Sequence, residues 1–296
     1  MRIEVPAKIF LAGEYAVLEG APALVAAVGP RFEARVGHQL SLQPHRDSPA
    51  GRWLGARALE FQDPFEGRGG FGASSAQFAA AFFAYPDVSV PSWQSAWLNY
   101  RALFKDQSVL PSGADLATQW AGGVQRFSLT SDGRAELLSL GHHLDLSGIS
   151  VFSAAHQSGR KVKTHEHLAQ ADQRPWAKGT SLFDELKEIL ARSIAALEKE
   201  DFKTFAPILT EYAQALSAHG LELEAARSDR EAFLKIPGVL GAKGSGALLA
   251  DAFLVARDVE NPQAWEQIQT VARERDLKLV CPALVLERGI TWILDA

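Results

Sequence analysis

The sequence predicts an α+β protein, and three observations carry that reading. Short apolar, β-like runs occur at the start of the chain and again in its second half, among them residues 3–11 and GISVFSAAH at 148–156. Other stretches return their apolar residues at helical spacing, such as Phe183, Leu186, Leu190, Ile194 and Leu197. Both halves mix the two patterns, with no repeat or low-complexity segment between them.

In chain order, strands are expected over 3–11, 23–28, 31–42 and 124–129. Helices are expected from Ser74 and Ser75 through AQFAAAFF, and over 93–105. After the strand at 148–156 come the helix of 183–197 and a second one carrying Phe202, Phe205, Leu209, Tyr212 and Leu216. A glycine-rich loop at 238–246 leads into the strand-like ALLADAFLVA. A helix around 265–275 and strands near 277–286 and 290–294 follow. The expected boundary falls where acidic LDLSG meets an apolar strand, giving domains 1–148 and 149–296.

With 296 residues, the chain has ample length for a core, and 47% hydrophobic with 22% charged residues is ordinary for a globular protein. Lys and Arg number 30 against 35 Asp and Glu, for a net charge of −5 and no basic run. That argues against nucleic acid or an anionic membrane as partner and leaves room for a local cationic pocket. The lone Cys281 can form neither an intrachain disulfide nor a cysteine-rich zinc site. Arg2, Glu4, Lys8 and Glu14 interrupt any signal-peptide core, and no stretch approaches the roughly 20 apolar residues of a membrane span. The expectation is a cytoplasmic protein, monomer or homodimer.

Glycines gather in three places. In PAKIFLAGEY (6–15) an apolar strand is interrupted by Lys8 and ends at Gly13 and Glu14. A cation there lies either on an exposed edge or in a cleft. GRGGFGASSA (67–76) runs straight into a helix. The first N–H groups of a helix lack internal partners and the dipole there is positive, so a flexible glycine loop lets a phosphate approach. A plain Ser N-cap explains one serine but not four glycines. Gly67, Gly69 and Gly72 also spell G-x-G-x-x-G, but FQDPFE before them is no buried strand, which argues against a dinucleotide fold. The third place is GVLGAKGSGA (238–247), whose glycines permit close backbone approach and whose Lys243 adds charge. Between the second and third lies PSGADLAT (111–118), where Asp115 opens a helix. A carboxylate there either complements the dipole or accepts a proton from a substrate.

Together and in this order, the segments resemble the GHMP small-molecule kinases. Lys8, Gly13 and Glu14 are similar to that family's N-terminal motif, GFGASSA to its phosphate loop, and 238–247 to its C-terminal glycine motif. Within the family, PSGAD resembles the mevalonate-kinase segment bearing the catalytic Asp, while GEY and GAKGSGALLAD resemble phosphomevalonate kinases. The resemblance implies an N-terminal α/β domain, a ferredoxin-like α+β C-terminal domain and an active site between them. It implies transfer of the γ-phosphoryl group of ATP, with Mg²⁺, to phosphomevalonate. A mevalonate kinase, a decarboxylating relative and a non-catalytic sensor remain as alternatives.

By that resemblance Lys8 and Asp115 are catalytic. Gly69, Gly70, Gly72, Ala73, Ser74, Ser75 and Ala76 hold the nucleotide, with Ser75 on the metal. Glu14, Tyr15, Ser112, Gly113, His156, Ser158, Arg160, Lys161, Lys163, Thr164, Gly241, Ala242, Lys243, Gly244, Ser245 and Gly246 face the substrate. Arg160, Lys161 and Lys163 suit a dianionic acceptor, although a solvated basic turn reads the same way. The pattern departs at Ala73, at Leu248 to Ala250, and at Phe104, where mevalonate kinases carry a metal-binding Glu.

Overall fold

The computed structural model describes residues 1–37, 43–107, 109–154 and 175–293. Strand β1 (Arg2–Ala12) begins with alternating burial and then turns apolar on both faces, because elements cover it from both sides. Strand β2 (Ala23–Arg35) pairs with it antiparallel along nearly its whole length. The sequence reads as two strands here because Gly29 and Pro30 interrupt the run. Instead, the register shift between Val5 and Ala7 takes up the interruption and one strand continues through it. The expected extension to residue 42 stops at Arg35, and residues 38–42 lie outside the described ones.

Strands β3 (Glu60–Gln62), β4 (Val124–Leu129) and β5 (Ala135–Gly141) extend this first sheet. Its path ends with β10 (Thr291–Ile293) beside β1, in the order β10-β1-β2-β4-β5, with β3 on β2. Helices α1 (Pro49–Leu54), α2 (Ala73–Ala84), α3 (Trp93–Ala102) and α4 (Ala114–Ala121) share its core. Helix α2 buries Ala76 and every residue from Phe78 to Phe82, so it reads as apolar all round.

The second sheet holds β6 (Ile149–Ser153), β7 (Val239–Ser245), β8 (Ala252–Arg257) and β9 (Lys278–Cys281). All pairs are antiparallel and the order is β7-β8-β6-β9. Helices α5 (Ser181–Glu198), α6 (Phe202–Ala218) and α7 (Glu224–Leu234) connect β6 to β7, and α8 (Pro262–Glu274) connects β8 to β9. In sequence numbering this is the 2-3-1-4 order of a split βαβ, the ferredoxin-like arrangement expected for this half.

Two expectations need correction. Within the glycine segment at 238–246, residues Val239–Ser245 form strand β7 and not a loop. Gly241 and Gly244 serve close packing: a Cβ on either would run into the carbonyl oxygens of Ala206 and Leu249 respectively. The end of the chain also does not stay with the second half. Ile3 pairs with Trp292, and Glu287 N donates to Ala27 O at 2.9 Å. A cut at 148/149 therefore leaves 286–293 with the first sheet.

Arg31 holds that returning tail. Its guanidinium donates to Arg288 O and Gly289 O at 2.8 Å, to Glu4 O at 3.0 Å and to Thr291 Oγ1 at 3.2 Å. Arg31→Leu should cost about 2 kcal/mol, the scale of charged hydrogen bonds to carbonyls. It should also speed amide exchange selectively in 287–293. An unchanged melting temperature with those amides still protected would contradict this role.

Candidate active site

Lys8 is the one charge in the apolar middle of β1, and it is 7% exposed. Its ammonium donates to Gly70 O at 2.8 Å and lies 5.0 Å from the Phe10 ring centre. Its own N–H donates to Phe71 O at 3.1 Å, so strand and glycine loop are joined twice. Burial pushes the Lys8 ammonium below the ordinary lysine range, while the charges of Asp115, Asp251 and Glu14 oppose that shift. The edge-strand reading of Lys8 is thereby set aside: the cation faces a group of carboxylates.

The glycine loop approaches backbone and side chains that leave no space for a Cβ. Gly70 has φ of 90° and lies against Ala252 of β8; Gly72 has φ of 82° and lies against the Lys8 stem and the Gln119 amide. Buried Gln119 donates to Pro6 O at 3.0 Å and Gly72 O at 3.1 Å, which ties α4, β1 and the loop together. Gly72 is the N-cap of α2, with no side-chain cap. The amides of Ala73, Ser74 and Ser75 thus open toward the cleft at the positive end of a helix. Ser74 is exposed; Ser75 is buried and its hydroxyl donates to Gly72 O at 3.0 Å, which leaves its lone pairs available. Ala76 is packed in the core and does not line the cleft.

Asp115 sits in the first turn of α4, behind Gly113 at φ of 75°. Its Oδ1 accepts from Leu116 N at 2.8 Å. Trp97 fixes the approach, donating from Nε1 to Ser112 O at 2.7 Å. Tyr100, one helical turn along α3, is buried, and burial together with the Asp115 charge pushes its hydroxyl well above the usual phenol range.

Across the cleft, Lys243 of β7 is fully buried and its ammonium meets Glu14 Oε1 at 2.5 Å and Gly244 O at 2.8 Å. Burial pushes the Lys243 ammonium below the ordinary lysine range, and the Glu14 carboxylate opposes that shift without cancelling it. Tyr212 donates to Glu14 O at 2.7 Å, and Glu14 Oε2 has no hydrogen-bond partner among the described residues. Tyr15, at φ of 64°, accepts from Leu248 N at 2.9 Å, and its ring lies 4.9 Å from that of Trp176 at a tilt of 46°. These contacts close the floor between the two halves.

One cavity of about 740 Å³ gathers Lys8, Glu14, Tyr15, Ser112, Gly113, Asp115, the loop from Gly67 to Gly70, Gly72 to Ser75, and Gly246. Gly241, Ala242, Lys243, Gly244 and Ser245 do not line it; they lie in β7, and Lys243 reaches the cleft residue Glu14 as its ion-pair partner. His156, Ser158, Arg160, Lys161, Lys163 and Thr164 lie outside the described residues. Sequence reasoning missed Tyr100, and it quoted Asp251 only as part of a motif. Asp251 lines the cavity and packs against Gly69, Gly70 and Gly246. Its signal was its place at the end of GAKGSGALLAD. The Phe104 position expected to carry a carboxylate is filled by a buried ring in edge contact with Tyr100.

No family model matches the sequence, and no curated protein does. Solved structures do match over nearly the whole chain. Streptococcus pneumoniae phosphomevalonate kinase, in complex with phosphomevalonate and AMPPNP, superposes at TM-score 0.71 and 17% identity, covering 97% of this chain and 99% of that one. Methanococcus jannaschii mevalonate kinase gives 0.70 and 14%, covering 97% and 98%. Lactococcus lactis galactokinase, complexed with galactose, gives 0.66 and 12%, covering 98% and 94%. The structural neighbours are GHMP kinases, and the chain has their fold. No helix among the described residues is long and apolar enough to cross a membrane.

The buried pair makes a sharp expectation. Lys243→Met leaves Glu14 charged and without its partner, a loss of about 3–5 kcal/mol for a broken buried pair. Adding Glu14→Gln to that variant should recover part of the loss in a urea or thermal melt. Equal stability of wild type and Lys243→Met would contradict the pairing.

Proposed function

We propose that the protein is an ATP-dependent small-molecule kinase, and that its acceptor is phosphomevalonate. The observation that carries the proposal is convergence: Lys8, Asp115 and the glycine loop ahead of α2 line a single cleft between the halves. Phosphoryl transfer needs mainly positioning and stabilisation of charge, and these groups provide both. The open amides of Ala73 to Ser75 and the positive φ of Gly70 and Gly72 form a cradle that any Cβ would fill, which suits a polyphosphate.

Among the described residues no group of three or more His, Cys, Asp or Glu could hold a metal ion. Mg²⁺ is commonly bound by one or two protein groups plus substrate phosphates, and here it would arrive on the nucleotide. When bound, it neutralises charge on the phosphates. Ser75, with Ser74 beside it, offers a side-chain oxygen at that point.

The remaining roles belong to the protein's own groups. Lys8, held by Gly70 O, places positive charge where the transferred group gains negative charge. Asp115 orients the acceptor oxygen toward that group. A phosphate acceptor is already ionised and needs positioning more than deprotonation; an alcohol such as mevalonate would also need Asp115 as a base. Glu14 Oε2, a buried acceptor with no partner among the described residues, is suited to receive a substrate hydroxyl. The neighbour solved with phosphomevalonate and AMPPNP supports this choice of acceptor and donor.

The test is a coupled ADP-release assay with Mg·ATP against phosphomevalonate, mevalonate and diphosphomevalonate. Turnover should be greatest with phosphomevalonate, and ADP release with none of them would sink the proposal. Asp115→Asn should lower kcat about 10²-fold or more while keeping nucleotide affinity, the scale of a positioned polar group. Ser75→Ala should raise the Mg²⁺ concentration needed for half-maximal rate, with Ser74→Ala milder. If both serine variants titrate like wild type, the serines serve only the helix end.

A further inference from the structure

The chain has four tyrosines, and the protein itself matches the hydroxyls of three. Tyr15 accepts from Leu248 N at 2.9 Å, Tyr85 donates to Ala58 O at 3.1 Å, and Tyr212 donates to Glu14 O at 2.7 Å. Tyr100 is the exception. It is 6% exposed, yet its hydroxyl makes no hydrogen bond among the described residues. A buried phenol normally finds a partner. Tyr100 also lines the cleft, so a molecule bound there can supply the acceptor that the protein does not.

Two aromatic contacts fix the ring. It lies 5.1 Å from the ring of Phe78 in α2, tilted by 59°, and 5.1 Å from that of Phe104, tilted by 64°. Phe78 is fully buried, so the phenol is carried on packed core rather than on a loop. Asp115 lines the same cleft from the start of α4. The two groups are close enough for the Asp115 charge to add to burial in holding the phenol well above its usual range. They are not bonded to each other: Asp115 Oδ1 takes the Leu116 amide, and no hydrogen bond joins it to Tyr100. Tyr100 therefore keeps its proton at neutral pH and is available as a donor beside a carboxylate.

Resting on the kinase reading above, we infer that Tyr100 is a specificity-determining residue, its hydroxyl donating to the phosphate of a phosphorylated acceptor where that phosphate lies beside Asp115. A phosphate and a carboxylate brought together repel each other. A neutral donor between them offsets part of that repulsion, and a hydrogen bond to an ionised oxygen is roughly twice as strong as one to a neutral oxygen. An alcohol acceptor gains little from the same donor. Its single oxygen must attack, and a hydrogen bond donated to that oxygen draws electron density away from it. A phosphate offers one oxygen to Tyr100 while another attacks. Tyr100 thus favours phosphorylated acceptors over alcohols, a distinction the fold alone does not make, since a phosphomevalonate kinase and a mevalonate kinase share it. The contact comes from α3, apart from Lys8 and the glycine loop.

Calorimetric titration without nucleotide reads the contact apart from catalysis. Wild type and Tyr100→Phe are each titrated with phosphomevalonate and with mevalonate. The variant keeps the ring between Phe78 and Phe104 and loses only the hydroxyl, so its melting temperature should not fall and its Mg·ADP affinity should match wild type. Tyr100→Phe should weaken phosphomevalonate about tenfold, the scale of a hydrogen bond to a charged group, and mevalonate less than about twofold. Equal phosphomevalonate affinity in the two proteins overturns the inference. So does a loss of the same size for both ligands, or no binding of phosphomevalonate to wild type. ADP release with an unchanged KM for phosphomevalonate in Tyr100→Phe keeps the kinase reading and discards the contact. Phosphomevalonate binding that depends on Tyr100, with no ADP release from wild type, keeps the contact and discards the kinase.

Discussion

The ion pair between Glu14 and Lys243 sets the relation on which the cleft depends. Glu14 follows the last residues of β1 and Lys243 lies within β7, 229 positions further on, and both are buried. A lysine buried in a sheet is costly unless a carboxylate and carbonyls receive it, so the two halves are held in the one arrangement that brings them together. Tyr212 on the Glu14 carbonyl and Leu248 N on the Tyr15 hydroxyl repeat the same crossing with neutral partners. Tyr15 keeps a left-handed backbone at this junction, a conformation that persists only where its surroundings fix it.

Once the floor is fixed, the cleft follows from close approach. The glycine loop can lie over β8 because Gly70 meets Ala252 without a Cβ, and it can lie over β1 because Gly72 meets the Lys8 stem. Lys8 then reaches Gly70 O, and Gln119 secures Gly72 O from α4. The helix end that results is uncapped by any side chain and faces the carboxylates and the lysine. The site is therefore a product of packing between elements that are distant in sequence, and a change at Gln119 or Lys243 would disturb it without touching a ligand.

Much of this was legible in the sequence, for physical reasons that differ by element. Lys8 announced itself as a charge inside an apolar strand, and GRGGFGASSA announced a helix start behind a flexible loop. The helices α5 and α6 were legible from their periodic apolar faces. Helix α7 was not, because EAARSDREAFL buries little apolar surface and relies on ion pairs of Asp229 and Arg230 with Arg275 and Glu222. The edge strand β5 alternates weakly and buries none of its residues fully. The glycine strand β7 read as a loop because its glycines answer to the carbonyls of Ala206 and Leu249, neighbours that no local pattern reveals. Tyr100 escaped because its place in the cleft depends on what α3 faces.

The central claim is that the glycine loop and the start of α2 receive the phosphates of a nucleotide in a cleft held open by the Glu14–Lys243 pair. Hydrogen exchange with and without Mg·AMPPNP measures it amide by amide. The account requires protection concentrated in 69–76, with lesser protection at 246–251 and none beyond the cleft. Protection confined to other segments, or no change at 69–76 under saturating nucleotide, would contradict it.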